Sequence, residues 1–237
     1  MFLPGGKEQI AGEYQPGWML LSYGKKVSVS SSLEGYPAEN IVDEDARTAW
    51  VAQSNRDMEW AQVDLQRLSS IHAIQVNFDE YGANQKGAVS GVYQSYLIYA
   101  SVNGEDWSLV VDYGTKKTDT PHDYIEFEEP FKARYIKLQN KEYTVSENFS
   151  VRDLRIFGKG QGSTPRAVND FTVERDEADP CKARLCWEAV PDAQGYIVRY
   201  GIAGDKLYNN FQVMGENTLE IGSLNKGVAY YFTIDAY

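Results

Sequence analysis

The sequence of 237 residues has little of what catalytic and membrane-spanning chains need. No apolar run approaches the roughly 20 residues that cross a bilayer. The opening Met1-Phe2-Leu3-Pro4-Gly5-Gly6 has no apolar stretch of the kind a secretory leader carries, so any export signal is expected outside this chain. Histidine occurs only at His72 and His122, and no nucleophile stands beside either. Neither a Gly-x-Ser-x-Gly turn nor a phosphate-cradling glycine loop is present. The 34 acidic residues make a carboxylate pair uninformative without geometry, so the chain is expected to hold no catalytic constellation.

Basic residues are also scarce. Against 34 Asp and Glu stand 23 Lys and Arg, giving a net charge of -11 and a pI near 4.7. That field opposes phosphate backbones and anionic lipid surfaces, which excludes nucleic acid and membrane as expected partners. Cys181 and Cys186 are the only cysteines. In an extended segment, residue steps of about 3.3 Å hold their Cα atoms roughly 16 Å apart, beyond the limit of about 7 Å for a disulfide. With two histidines far away in sequence, they also make a poor zinc set, and two free thiols are expected.

What is plentiful is aromatic and alternating. Aromatics make up 13% of the chain, with 17 Tyr and 5 Trp, enough for sandwich cores and for stacking platforms. Apolar residues recur with period two at Val63/Leu65, Ile74/Val76/Phe78, Ile125/Phe127, Ile136/Leu138 and Leu154/Ile156, which is the pattern of half-buried antiparallel strands. Turn clusters such as Asn103-Gly104-Glu105-Asp106 separate them, and the class is all-β. The alternation breaks at Gly158-Lys159-Gly160-Gln161-Gly162-Ser163-Thr164-Pro165, which marks a linker over 159–165 between a domain at 21–158 and another at 166–237. Residues 1–20 read as a tail from an upstream domain. Its Trp18, with Met19 and Leu21, is too apolar to leave bare, so the tail is expected to dock on the first domain.

One loop is acidic and thinly packed: Asn40-Ile41-Val42-Asp43-Glu44-Asp45-Ala46-Arg47-Thr48-Ala49-Trp50. Carboxylates, carbonyls and a hydroxyl at this spacing supply the oxygens that Ca2+ prefers, although an acidic loop is more often just solvated. The segment resembles the D-x-[DN]-x-x-T-x-W signature of the discoidin, or coagulation factor 5/8 type C, fold, which includes the family 32 carbohydrate-binding modules. Further matches follow in order: Trp60-Ala61-Gln62-Val63-Asp64-Leu65, Tyr99-Ala100-Ser101-Val102-Asn103-Gly104-Glu105-Asp106-Trp107, Ala133-Arg134-Tyr135-Ile136-Lys137-Leu138, and Val151-Arg152-Asp153-Leu154-Arg155-Ile156-Phe157-Gly158.

The resemblance implies an eight-stranded jelly-roll sandwich with a structural Ca2+, Na+ being the alternative. Carried over by position, its holders are Asn40 and Asp45 through carbonyls, Asp43, Thr48, and Asp153 with the Arg152 carbonyl before it. Asp153 stands where the family usually has Glu, a shorter arm that weakens the site or admits a water. The resemblance also implies that Trp50, Trp60 and Trp107 are core residues. It places a sugar, where one binds, in the variable loops at one end, with Tyr36, Tyr81, Asn84 and Tyr143 as candidates. No His-Arg-Asn constellation accompanies them.

The second domain pairs Leu185/Trp187 with Gly195-Tyr196-Ile197-Val198-Arg199-Tyr200, and ends in Leu224-Asn225-Lys226-Gly227-Val228-Ala229-Tyr230-Tyr231-Phe232-Thr233-Ile234-Asp235-Ala236. These resemble the B, C and F strands of a fibronectin type III, immunoglobulin-like sandwich, with Tyr230 as the corner tyrosine near Trp187. The chain reaches Tyr237 directly after that F segment, so the resemblance implies a domain lacking its last strand. The long insertion from Asp79 to Tyr93 and the Pro16-Gly17-Trp18-Met19-Leu20-Leu21-Ser22-Tyr23 entry are similar to C-terminal regions of Bacteroidetes glycoside hydrolase family 43 enzymes, β-xylosidase or α-arabinofuranosidase-like. That likeness implies a secreted, periplasmic or cell-surface parent whose catalytic domain lies upstream in the same polypeptide. This chain would be its accessory region, binding plant-polysaccharide side chains. A purely structural spacer and a discoidin-like protein-adhesion module are the other readings.

Overall fold

The computed structural model describes residues 17–83, 91–161, 165–191 and 193–237. The expected tail as far as residue 16, the linker residues 162–164 and the candidate Asn84 lie outside them. The chain forms two compact units that divide between Gln161 and Gly162.

In the first unit the strands are β1 (Met19–Leu20), β2 (Lys26–Val29), β3 (Trp50–Val51), β4 (Trp60–Phe78), β5 (Gln94–Ser101), β6 (Ser108–Tyr113), β7 (His122–Tyr143) and β8 (Ser150–Gly160). All pairings are antiparallel, in the order β1-β8-β4-β7-β5-β6, with β2 also on β4 and β3 on β8. Two strands are long enough to serve both layers of a sandwich. Residues 60–64 of β4 pair with β2 and with residues 135–139 of β7; residues 69–78 pair with β8 and with the first half of β7. The register breaks between Asp64 and Ser69, where the strand turns the corner. Gln66 takes φ 66° there.

The alternation read in the sequence becomes a single core. Val63, Leu65, Ile74, Val76 and Phe78 of β4 meet Ile98 of β5, Ile136 and Leu138 of β7, and Leu154 and Ile156 of β8. Burying each such side chain contributes about 1.5–3 kcal/mol. An aromatic cluster fills one end: Phe149 touches Trp50, Phe78 and Tyr143 at centroid distances of 5.8, 6.0 and 5.4 Å. The residues after Gly17 add to the sheet, Met19 opposite Gly158 and Leu20 opposite Phe157, while Trp18 stacks on His72 at 5.0 Å. Gly158 tolerates no side chain, since a Cβ there would meet the Ser70 carbonyl oxygen at 2.1 Å.

Of the three tryptophans expected inside, only Trp50 is fully buried. Trp60 shares the outward face of β4 with Gln62, because Ala61 and Val63 take the inward positions. Trp60 and Trp107, with Tyr99, surround the Lys137 ammonium instead, Trp107 at 3.8 Å. Burial lowers the pKa of that lysine.

The second unit packs two three-stranded antiparallel sheets. One is β13-β10-β9, with β9 (Phe171–Arg175), β10 (Ala183–Trp187) and β13 (Thr218–Ile221); the other is β12-β11-β14, with β11 (Gly195–Gly201), β12 (Asn209–Met214) and β14 (Tyr231–Ala236). Leu185, Trp187, Val198, Tyr200 and Ile234 are among its buried residues. Trp187 packs edge-on against Tyr196 at 5.1 Å, whereas Tyr230 lies against Tyr200 and under the Arg175 guanidinium. The Tyr230 hydroxyl accepts the Asn225 amide hydrogen at 3.1 Å. Cys181 and Cys186 are free.

Candidate functional site

Four connections gather at one end of the first unit, and their own polar groups lock them together. Asn55 Nδ2 donates to the carbonyls of Tyr143 and Ser146 at 3.2 and 2.8 Å. Asn148 Nδ2 donates to Ala52 O at 2.8 Å, and the Leu33 amide to Val51 O at 2.7 Å. The Thr144 amide donates to Tyr93 O at 3.2 Å. Buried backbone groups are thereby satisfied without regular structure.

On this frame two of the expected tyrosines meet. Tyr36 and Tyr81, both half-buried, pack edge to face with centroids 4.9 Å apart and planes at 70°. The Ser32 hydroxyl holds the Tyr36 carbonyl at 2.7 Å. Gly82, at φ 70°, turns the chain just after Tyr81. Such a pair presents aromatic surface in two orientations, suited to stacking on a ring with axial and equatorial hydrogens.

Tyr143 does not join them. It is 2% exposed and ends β7, with its ring against Phe78 and Phe149 and its hydroxyl donated to the Asp79 carbonyl. Burial pushes its phenol pKa up. The apolar positions Leu138 and Tyr143 flank a run of polar residues that reads as a loop, yet β7 continues through it beside β5, Gln94 opposite Tyr143. The tyrosine is therefore a core residue that carries the Asp79 connection.

A neighbouring feature was not legible in the sequence. Glu59 accepts hydrogen bonds from the hydroxyls of Ser30, Ser31 and Ser54, the last two at 2.8 and 2.7 Å, at the wall of an open polar cleft that also includes Gln53 and Asp57. Burial opposes ionisation of Glu59, but the three hydroxyls outweigh it and hold its pKa below the usual carboxylate value. Only the run Ser30-Ser31-Ser32 hinted at it. That run and Tyr36 belong to one connection.

The acidic loop closes on itself. After the 3-10 turn Ala38–Val42, which contains Asn40, the Thr48 hydroxyl donates to Asp43 Oδ2 at 2.7 Å and lies 3.0 Å from the Asp45 carbonyl. Three of the expected donor oxygens thus converge. The Asp45 carboxylate turns away to Arg47, and Asn40 Nδ2 donates to the Ala49 carbonyl at 2.8 Å, leaving their roles to backbone oxygens. Between Asp43 and Asp45, Glu44 takes φ 61°, at a cost of about 1–2 kcal/mol for a non-glycine residue.

Asp153 comes from β8 and is 3% exposed; its Oδ2 accepts Asn77 Nδ2 at 2.8 Å, and its Oδ1 has no hydrogen-bond partner. The Arg155 guanidinium stays 3.8 Å from that oxygen and bonds Glu44 at 2.9 Å. Burial raises the pKa of Glu44, Arg155 counteracts it, and the charges of Asp153 and Asp43 add to the rise. Glu44, Asp43 and Asp153 share one neighbourhood, with Arg155 between Glu44 and Asp153. Arg152 points its guanidinium at Asp79, and since that group has no acceptor, its carbonyl is the only atom it could offer a cation. Among the described residues no three His, Cys, Asp or Glu side chains converge on one point, and the donor set is two carboxylates with neutral oxygens. An orphaned buried carboxylate oxygen beside such a set fits a hard cation and no soft one.

Comparison with known proteins gives three findings. A model of the F5/8 type C domain matches residues 26–154. Lactadherin of Rattus norvegicus is 33% identical over 110 residues, 44% of this chain and 25% of that protein, so the chain spans about a quarter of the curated relatives it matches. Among solved structures, chitosan-binding module 1 of the chitosanase/glucanase from Paenibacillus sp. IK-5 aligns with TM-score 0.50 at 20% identity, covering 59% of this chain and 99% of that one. Module 2 of the same enzyme, solved with chitotriose, aligns with TM-score 0.50 at 19% identity over 58% and 99%.

Proposed function

The chain belongs to the F5/8 type C domain family, and from that premise we propose that its first unit is a non-catalytic glycan-binding module. The observation that carries this reading is the Tyr36–Tyr81 pair, two half-exposed aromatic rings held by interlocked connections at one end of the sandwich. The aromatic faces supply stacking, and the hydroxyl-rich wall around Glu59 supplies hydrogen-bond partners for sugar hydroxyls. That chitosan-binding modules use the same fold adds support for a glycan as ligand. The test is an array of plant-polysaccharide and amino-sugar oligosaccharides, followed by calorimetry with Tyr36→Ala and Tyr81→Ala. Loss of binding in both variants supports the site; retained affinity removes it.

In this reading the first unit also takes one structural Ca2+. Asp43, Thr48 and Asp153 hold it through side chains, and the Asn40, Asp45 and Arg152 carbonyls complete the set. The cation supplies charge neutralisation, tying the Asp43 loop to β8. The second unit is a fibronectin type III-like domain, a reading supported by the Tyr230 hydroxyl that caps the Asn225 amide five residues upstream. Together the two form the accessory region of a secreted glycoside hydrolase of family 43 type, whose catalytic domain precedes them in the polypeptide.

The lactadherin likeness favours a second reading, a protein-adhesion module using the same end of the sandwich. A silent glycan array combined with capture of a defined protein ligand that depends on Tyr36 would favour it.

A further inference from the structure

The cation reading above leaves open why Asp153 is oriented as it is, and β4 supplies the answer. Ile74, Val76 and Phe78 point into the core, so Asn77 lies on the opposite face of the same strand. It is nevertheless only 6% exposed. In the sheet Asn77 stands opposite Asp153 of β8 on one side and opposite His122 of β7 on the other, so the three side chains form a row across three strands.

The chemistry of the row allows one arrangement. An ionised carboxylate only accepts, so the face of the Asn77 amide turned to Asp153 must be its NH2, and Nδ2 is 2.8 Å from Oδ2. The amide oxygen is then directed at His122, whose Nδ1 lies 3.1 Å away. That contact needs the proton on Nδ1, which leaves Nε2 of the exposed His122 to solvent. Asp153 therefore has one oxygen pinned and the other, Oδ1, buried without a hydrogen-bond partner. Arg155 bonds Glu44 through Nε at 2.9 Å and keeps its Nη2 3.8 Å from that oxygen, outside hydrogen-bond reach.

We infer that Asn77 is the positioning residue of the cation site: its amide fixes Asp153 so that Oδ1 faces the metal, and His122 keeps the amide from flipping. The inference rests on the cation reading and goes beyond it, since neither residue contacts the metal. It also accounts for how the shorter Asp arm serves at this position: the carboxylate is aimed by a partner on the next strand.

The test is calorimetric titration of the whole chain with Ca2+ alone, for wild type, Asn77→Leu and His122→Ala, with melting in excess chelator measured on each. Outer partners of this kind alter metal affinity about 10–100-fold. Asn77→Leu is expected to weaken Ca2+ binding by about tenfold or more, and His122→Ala by less, because the amide remains. A merely structural role would lower the chelator-state Tm of Asn77→Leu and leave its Ca2+ affinity unchanged, which overturns the inference while the cation reading stands. Should Asn77→Leu fail to fold, His122→Ala decides, since that residue is exposed: weakened affinity supports the inference and wild-type affinity overturns it. Absence of Ca2+ binding by the wild type overturns the cation reading and this inference together.

Discussion

The two units are built from the same alternating pattern but enclose their cores differently. On β4 of the first unit, Ile71, Ile74 and Val76 are fully buried because β7 and β8 flank the strand on both sides. On β9 of the second, Phe171 and Val173 stand opposite Trp187 and Leu185 and share their core-facing side, yet remain 36% and 37% exposed. Every residue of β9 but Arg175 is exposed. Apolar area stabilises only when it is covered. The same two-residue period therefore contributes more on a central strand such as β4 than on an edge strand such as β9, and the two units are expected to unfold as separate transitions.

The largest effect that tests this contrast is a pair of truncations. Phe149→Ala empties the aromatic centre of the first unit and is expected to cost about 3–5 kcal/mol, whereas Val173→Ala, on a half-covered strand, should cost under about 1 kcal/mol. Urea unfolding followed by tryptophan fluorescence reads both; comparable losses would dissolve the distinction. Next comes the cation. At Ca2+ one hundred times its Kd, the proposed site is expected to stabilise the first unit by about 2.7 kcal/mol, and chelator should lower that transition alone. A shift of both transitions, or of neither, contradicts a single site on the first unit.

Tyrosines sharpen the comparison at finer scale. Tyr143→Phe removes a buried hydroxyl bonded to the Asp79 carbonyl and should cost about 1 kcal/mol with glycan affinity unchanged. Combined Tyr36→Ala and Tyr81→Ala should abolish glycan binding and cost less stability than Tyr143→Ala. Undiminished glycan affinity in the double variant would mean the ligand lies elsewhere.

The smallest expected effect is electrostatic. The bidentate contact of Arg134 with Asp64, at 2.8 and 2.9 Å, holds the Asp64 carboxyl below its usual pKa. The folded state therefore releases this proton more readily than the unfolded chain, whose Asp titrates near about 3.9. The contribution is fully present above that pH and is lost as pH falls through the depressed folded pKa. Because Arg134 is more than a third exposed, solvent screening keeps that contribution small. Wild type and Asp64→Asn should differ in Tm at pH 6 and converge as the solution is acidified below about pH 4.

Much of this molecule was legible residue by residue. The alternation of Val63/Leu65, Ile136/Leu138 and Leu154/Ile156 is local, because side-chain direction in a strand follows from the backbone itself, and these positions are core. The Asp43–Thr48 loop was likewise readable, since its contacts span five residues and close without help from the rest of the chain. Trp60 shows the limit: it is as apolar as Trp50, but its place one step out of phase with Ala61 and Val63 puts it on the outer face beside Lys137.

What the chain could not state locally is whatever depends on residues brought from afar. Tyr143 lies inside because β7 runs on past Asn140 along β5, and its hydroxyl reaches a carbonyl 64 residues away. Tyr36 and Tyr81 became a pair because two connections of different length end over the same corner of the sandwich. Asn77 was an unremarked polar residue in an apolar strand until β8 and β7 placed Asp153 and His122 on either side of it. Periodicity and short-range spacing thus determined the strands, the class and the internal contacts of the acidic loop, since both are properties of neighbouring residues. Register between strands, set only when the whole sheet forms, decided which tyrosines face solvent and which amide bonds the buried carboxylate.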